Sequence, residues 1–175
     1  RSNKRANIFN QGIRNMVLDR EEELESGDML MIVKNNYYWM EEERKKIKER
    51  QLSEERKVKS GKFNTLANHT VQSNEVSSHE IPAFLANGDR AKVMKVSRRI
   101  ELYGFHFATL LLKFPDYDNY ELEATVLLDT LTSEASALTH DQQEQLFHKI
   151  EEDYQDIPLK ADRMKAIRQD PYFNA

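Results

Sequence analysis

The sequence predicts an α+β chain built around a small antiparallel β-barrel or curled sheet. Three observations predict it. Residues 84–128 read as three to five short strands linked by tight turns, with a clean period of two from Leu122 to Leu128. Residues 3–20, and again the last third of the chain, repeat apolar side chains at three-to-four spacing, which places them on helices. Two Gly-Asp turns, Gly27-Asp28 and Gly88-Asp89, each feed an apolar run, so two strands start alike and are expected to lie near each other. Gly supplies the unusual backbone angle, and Asp hydrogen-bonds the turn's own amides.

Taken in order, residues 3–20 form a helix with Ala6, Phe9, Ile13 and Met16/Val17 on one face. Ser2 or Asn3 is the expected N-cap. The free amides there carry a partial positive charge suited to a phosphate, and Arg1, Lys4 and Arg5 add formal charge. The same pattern describes an ordinary capped surface helix. Residues 21–25 are an acidic loop, and 29–33 are a fully apolar run of the kind a buried strand shows. Tyr37-Tyr38-Trp39 offers rings that stack on bases or pack a core edge. Residues 41–62 are almost wholly charged, and Glu42 and Lys46 at i,i+4 support a helix. Ile47, Leu52 and Val58 are too sparse for a buried stripe, which leaves a solvated helix or a mobile arm. Residues 63–80 show no period and read as a long loop.

Beyond the Asn87-Gly88-Asp89 turn, 91–96 is a strand with Lys92 and Lys95 facing outward. Tyr103-Gly104 marks another turn or kink, 105–114 is long and apolar with Leu110-Leu111-Leu112 too continuous for a half-exposed strand, and 115–119 is a loop. Leu122, Ala124, Val126 and Leu128 then alternate with Glu123 and Thr125. Thr139 and Gln142 make a capping box. Leu146, Phe147, Ile150 and Tyr154 follow on one helix face, and Met164 and Ile167 mark a short last helix after Pro158.

Composition bounds the chemistry. At 175 residues the chain holds one good core or two small lobes. No run approaches the roughly 20 apolar residues of a membrane span, and the Arg- and Asn-rich start is no signal peptide. The absence of cysteine excludes disulfides, thiol catalysis and Cys-type zinc sites, and fits a reducing cytoplasm. Residues 1–99 carry 20 Lys and Arg against 15 Asp and Glu, whereas 100–175 carry 6 against 15. A nucleic-acid contact therefore belongs to the first half. The missing initiator Met and the apolar Pro171-Tyr172-Phe173-Asn174-Ala175 end read as a piece of a longer protein. The glycines at 12, 27, 61, 88 and 104 form no phosphate loop, and the histidines show no metal-ligand spacing. Asp116, Asp118, Glu121 and Glu123 suggest a metal-dependent nuclease only remotely, because acids at such positions keep a sheet edge solvated. No catalytic residue is expected in this chain.

Two stretches together carry a resemblance. Arg1-Ser2-Asn3-Lys4-Arg5-Ala6-Asn7-Ile8-Phe9-Asn10-Gln11-Gly12-Ile13-Arg14 resembles the strand-to-helix segment of the second motor lobe of superfamily-one DNA helicases. Gly27-Asp28-Met29-Leu30-Met31 with Asn35-Asn36, followed by Ala86-Asn87-Gly88-Asp89-Arg90-Ala91-Lys92-Val93, looks like the family's split Gly-Asp…Asn-Gly-Asp signature. That signature is typical of the RecD-like branch, related to the exonuclease V alpha subunit. Ala91 stands where Gly is usual, and residues 40–80 lie outside the resemblance.

The resemblance implies partial RecA-like lobe elements carrying an inserted SH3-like barrel. Residues 1–36 would belong to the lobe, 37–83 to a charged arm and long loop, 84–130 to the barrel, and 131–175 to a helical return toward the lobe. It implies a cytoplasmic ATP-dependent helicase that translocates on single-stranded DNA. Its partners would be that DNA and the rest of the helicase chain, with no membrane. ATP and Mg²⁺ are expected for the full-length protein and no cofactor for this piece. Arg1 and Asn3, with Lys4 beside them, match positions that touch single-stranded DNA in related helicases. Lys92 and Lys95 are the candidate DNA-facing surface of the barrel. The rival reading is a freestanding α+β module that binds nucleic acid or protein through Lys92, Lys95, Arg98 and Arg99, without catalysis.

Overall fold

A computed structural model describes residues 3–59, 81–133 and 137–175 of the chain. It is a mixed α+β structure with one four-stranded antiparallel sheet in the order β1-β2-β3-β4. The strands are β1 (Met29–Met31), β2 (Arg90–Leu102), β3 (Phe105–Phe114) and β4 (Tyr120–Leu127). Helix α1 (Asn3–Met16) precedes the sheet, and α2 (Tyr38–Lys59) lies between β1 and β2. Helices α3 (Asp129–Thr132), α4 (His140–Asp153) and α5 (Lys160–Arg168) follow β4.

Tight turns set the meander. Between β2 and β3 the two central residues, Tyr103 at φ 59° and Gly104 at φ 80°, make a primed hairpin turn, whose twist matches that of the strands it joins. Asp118 and Asn119 repeat the device ahead of β4, at φ 49° and 60°, with the Tyr120 amide donating to the Tyr117 carbonyl at 2.8 Å. Two bulges interrupt β2, one between Val93 and Lys95 and one between Val96 and Arg98. A bulge adds a residue to one strand, bends it and raises its twist, which curls the sheet into a half-barrel. The expected barrel is not closed among the described residues, where β1 and β4 are the two edges.

The curl divides the core between the two faces. On one face Val93 pairs across to Leu112, and Leu110 and Leu112 pair on to Ala124 and Leu122. Leu24, Met40 and Leu85 close over them. On the other face, at the far ends of the strands, Ile100 and Leu127 both pair with Phe107. There Leu146, Ile150 and Ile167 of α4 and α5 cover them. This explains the continuous apolar run of β3: Phe107 faces one cluster while Ala108, Leu110, Leu112 and Phe114 face the other.

Several expectations are corrected. The helix at the start ends at Met16, because Asp19 takes up φ 52° and the Arg20 amide turns back to the Arg14 carbonyl at 2.9 Å. Among the described residues its apolar stripe covers nothing: Phe9, Ile13 and Met16 are 69%, 49% and 84% exposed. The run at 29–33 is an edge strand and not a buried one, with Met29 and Met31 exposed on either side of half-buried Leu30. The strand at 91–96 reaches to Leu102. In β4 the alternation holds to Ala124 and then fails, since Val126 is half-buried and Leu127 buried. Glu42 pairs with Lys45 and Glu43 with Lys46, at i,i+3, in place of Glu42 with Lys46. The proposed loop at 63–80 lies outside the described residues.

The helical elements follow the expected signals. Thr139 and Gln142 form the capping box at the start of α4. Asn36 receives the Trp39 amide at the start of α2 and so supplies one of the caps its free amides need. The last residues latch the two ends of the fold. The Asn174 carbonyl accepts from the Asn36 side chain at 3.0 Å and from the Trp39 indole at 3.2 Å. Buried Asp170 accepts from Tyr154 and from the Tyr172 and Phe173 amides. No helix among the described residues is long and apolar enough to cross a membrane.

Candidate nucleic-acid interface

The two Gly-Asp stretches meet. Gly27 at φ 90° and Gly88 at φ 98° occupy the same position in two equivalent turns. In each turn the Asp amide donates to the carbonyl three residues back, Asp28 to Glu25 and Asp89 to Ala86. In each the Asp carboxylate accepts the amide of that same residue, at 2.7 Å in both. The turns then knit together. Gly27 donates to Val93, Val93 to Asp28, Ile32 to Asp89 and Gly88 to Ile32, and Met29, Leu30 and Met31 pair with Lys92, Ala91 and Arg90. The sequence expectation that these strands lie together is met.

Each Asp also has a separate anchor. Arg14 and Arg20 both reach buried Asp28, Arg14 at 2.7 Å, and so tie the end of α1 to the first turn. The Tyr117 hydroxyl donates to Asp89 at 2.6 Å, and that bond, with some burial, pushes the tyrosine's pKa up to about 12.

Among the described residues, the sheet face opposite the first cluster is covered by helices at one end only. Its open end carries cations. Across β2 and β3, Lys92 pairs with Lys113, Lys95 with Leu111 and Arg98 with Thr109. All three partners are odd-numbered residues of β3, so Lys92, Lys95 and Arg98 share one face. In a plain strand, residues three apart point to opposite faces; the two bulges cancel that. The same phasing turns Arg99 to the other face, opposite buried Ala108. There Arg99 bonds the Glu22 carboxylate and the Leu24 carbonyl.

Lys92, Lys95 and Arg98 are exposed, and among the described residues they take part in no ion pair. Their neighbours are already paired. Arg90 meets Asp116 at 2.9 Å, and Lys113 meets Glu121 at 3.6 Å. Exposed Met29 lies directly opposite Lys92, and Leu111 directly opposite Lys95. The face thus offers three uncommitted cations in file, flanked by apolar side chains. Such a surface holds phosphates by charge and leaves room for bases beside them.

The remaining site residues are distributed as follows. Arg1 lies outside the described residues, and of Asn3 and Lys4 only the backbone, in the first turn of α1, is described. The structure brings Lys92 and Lys95 together and adds Arg98 to them. It removes Arg99 from the set named for a binding module. The signal for this was the spacing of the cations at 92, 95 and 98, which no unbulged strand presents on one face. The aromatic cluster packs: Tyr37 stacks on Phe84 at 5.0 Å, and the Tyr38 hydroxyl bonds the Gln169 carbonyl at 2.9 Å. The acids near Asp116 hold Arg90 and Lys113, and no group of three metal-ligating side chains occurs among the described residues. Compared with protein-family models, with curated proteins and with solved structures, the chain matches none.

Proposed function

We propose that the chain is part of a cytoplasmic ATP-dependent DNA helicase of the RecD-like type that translocates on single-stranded DNA. In this reading it contributes DNA contacts and an accessory sheet of the SH3-like kind to the second RecA-like lobe, and it hydrolyses nothing itself. ATP and Mg²⁺ belong to motor residues elsewhere in the full-length protein. The observation that carries the reading is the closure of the two Gly-Asp turns on each other through shared backbone bonds. It supports treating the two stretches as one signature and not as two chance turns. The outward apolar stripe of α1 is in keeping with it, since a helix held by its polar side and apolar toward solvent suits a larger lobe.

The test is ATP hydrolysis by the full-length gene product with and without single-stranded DNA. Strong stimulation is expected, together with weaker strand binding in the Arg1→Ala/Asn3→Ala variant. A gene product that neither hydrolyses ATP nor encodes a phosphate loop ahead of residue 1 would sink the helicase reading. The second reading, a freestanding binding module, is favoured by one observation: the chain closes two clusters of its own and latches its last residues onto α2. It would bind through the same cationic face without catalysis.

A further inference from the structure

We infer that a single strand of nucleic acid lies along β2 with three successive phosphates over Lys92, Lys95 and Arg98. This inference rests on the reading that the protein binds single-stranded DNA, and it specifies how. The three cations stand opposite residues 113, 111 and 109 of β3. Each step along the file therefore spans two residues of an adjacent strand, about 6.6 Å at roughly 3.3 Å per residue. That repeat is of the order of the distance between neighbouring phosphates in an extended nucleic-acid chain. The bulges are what create it. Without them Lys95 would face the core beside Val93, and the two remaining cations would stand too far apart for adjacent phosphates.

The flanks decide between a single strand and a duplex. Met29 on one side and Leu111 on the other lie within one strand spacing of the file. An unpaired base turned away from its phosphate rests on such a side chain, and methionine suits any base because it is flexible and polarizable. Bases in a duplex are turned toward each other and have no use for these flanks. The acidic side chains of this face, Glu121 and Glu123, lie on β4 beyond β3, so they repel a strand from that side and confine it to β2.

The experiment is a salt titration of strand binding by the full-length protein, read by fluorescence anisotropy with an oligothymidylate. Each phosphate contact on a single strand contributes about 0.7 to the slope of log K against log salt. Lys92→Ala/Lys95→Ala/Arg98→Ala is expected to flatten that slope by about 2. All three side chains are exposed, so folding is kept. Lys48→Ala/Arg50→Ala, removing exposed cations from α2, is expected to leave the slope unchanged.

The decisive variant is Lys95→Gln/Gln51→Lys. It conserves charge but moves one cation from the file to exposed position 51 of α2, and it is expected to lose as much slope as Lys95→Ala alone. Wild-type behaviour of this swap would overturn the inference in favour of diffuse attraction. Equal affinity for a duplex of the same length would overturn the single-strand assignment. An unchanged slope in the triple variant would overturn the inference while the DNA-binding reading stood, whereas no binding by the wild type would overturn both.

Discussion

At the scale of single residues, Asp28 is the most consequential side chain. It is almost fully buried, it closes its own turn, and it receives Arg14 and Arg20. Removing one partner of a buried ion pair leaves the others desolvated and unpaired. Asp28→Ala is therefore expected to lower stability by about 3 kcal/mol, seen as a lower urea midpoint. The glycines of the paired turns give a graded comparison. Both have positive φ, where a side chain costs roughly 1–2 kcal/mol. A Cβ on Gly88 meets nothing, whereas one on Gly27 comes within 2.7 Å of the Arg20 guanidinium. Gly27→Ala should thus unfold at lower urea than Gly88→Ala, and equal midpoints would refute the Arg20 contact. The turn role of both aspartates was legible from Gly-Asp alone. The arginines that anchor Asp28 were not, because their approach depends on where α1 stops and how Asp19 redirects the chain.

At the scale of elements, β2 and α1 show what a periodic pattern conveys and what it hides. Strand β3 and the α4 cap could be read directly, because uninterrupted apolar runs and capping boxes act over a few neighbouring residues. Strand β2 could be read only in part, since each bulge shifts the alternation by one residue and conceals the strand beyond Val96. Helix α1 was legible as an amphipathic helix, but periodicity identifies an apolar face without saying what covers it. Here the helix is held by its other side, through Asn7 to the Ser133 carbonyl and through Arg14 to Asp28. Phe9→Glu with Ile13→Glu should change the stability of the 175-residue chain by less than about 0.5 kcal/mol, as for surface positions generally. A loss of several kcal/mol in a denaturation curve would show that the stripe is packed within the chain.

At the scale of the whole molecule, tyrosine hydroxyls tie α2, the β2–β3 turn and α4 to the residues that follow the sheet. Tyr38 reaches the Gln169 carbonyl, Tyr154 reaches Asp170, and Tyr103 reaches Asp153. Burial first, then carboxylate neighbours, pushes the pKa of Tyr38 and of Tyr154 up to about 12, and Tyr103 is raised further still. A folded-state pKa above the ordinary tyrosine value of about 10 gives stability that is fully present below pH 10 and lost as pH rises through the folded value. The chain should therefore weaken between pH 10 and about 12. Within that window its tyrosinate absorbance should lag behind that of the urea-unfolded chain, and coincident titration curves would contradict the hydrogen bonds. These links join residues more than 100 positions apart for Tyr38, and no local pattern in a sequence encodes a contact of that range. The uneven charge of the two halves, in contrast, was visible from the start and matches cations on β2 and acids on β4, with β3 between them.

The stem beneath α2 bears on how this fold tolerates new material. Asn36 and Leu85 exchange both backbone bonds, at 2.8 and 2.9 Å, and Ile32 bonds Gly88 and Asp89 just below them. Above the stem, Arg44 holds the Ile81 and Pro82 carbonyls. Departure and return are thus pinned side by side by bonds that do not run through the chain beyond Arg44. The molecule has a built-in graft point there: a reporter spliced in beyond Arg44 is expected to leave the paired turns in register, read as an unchanged urea midpoint.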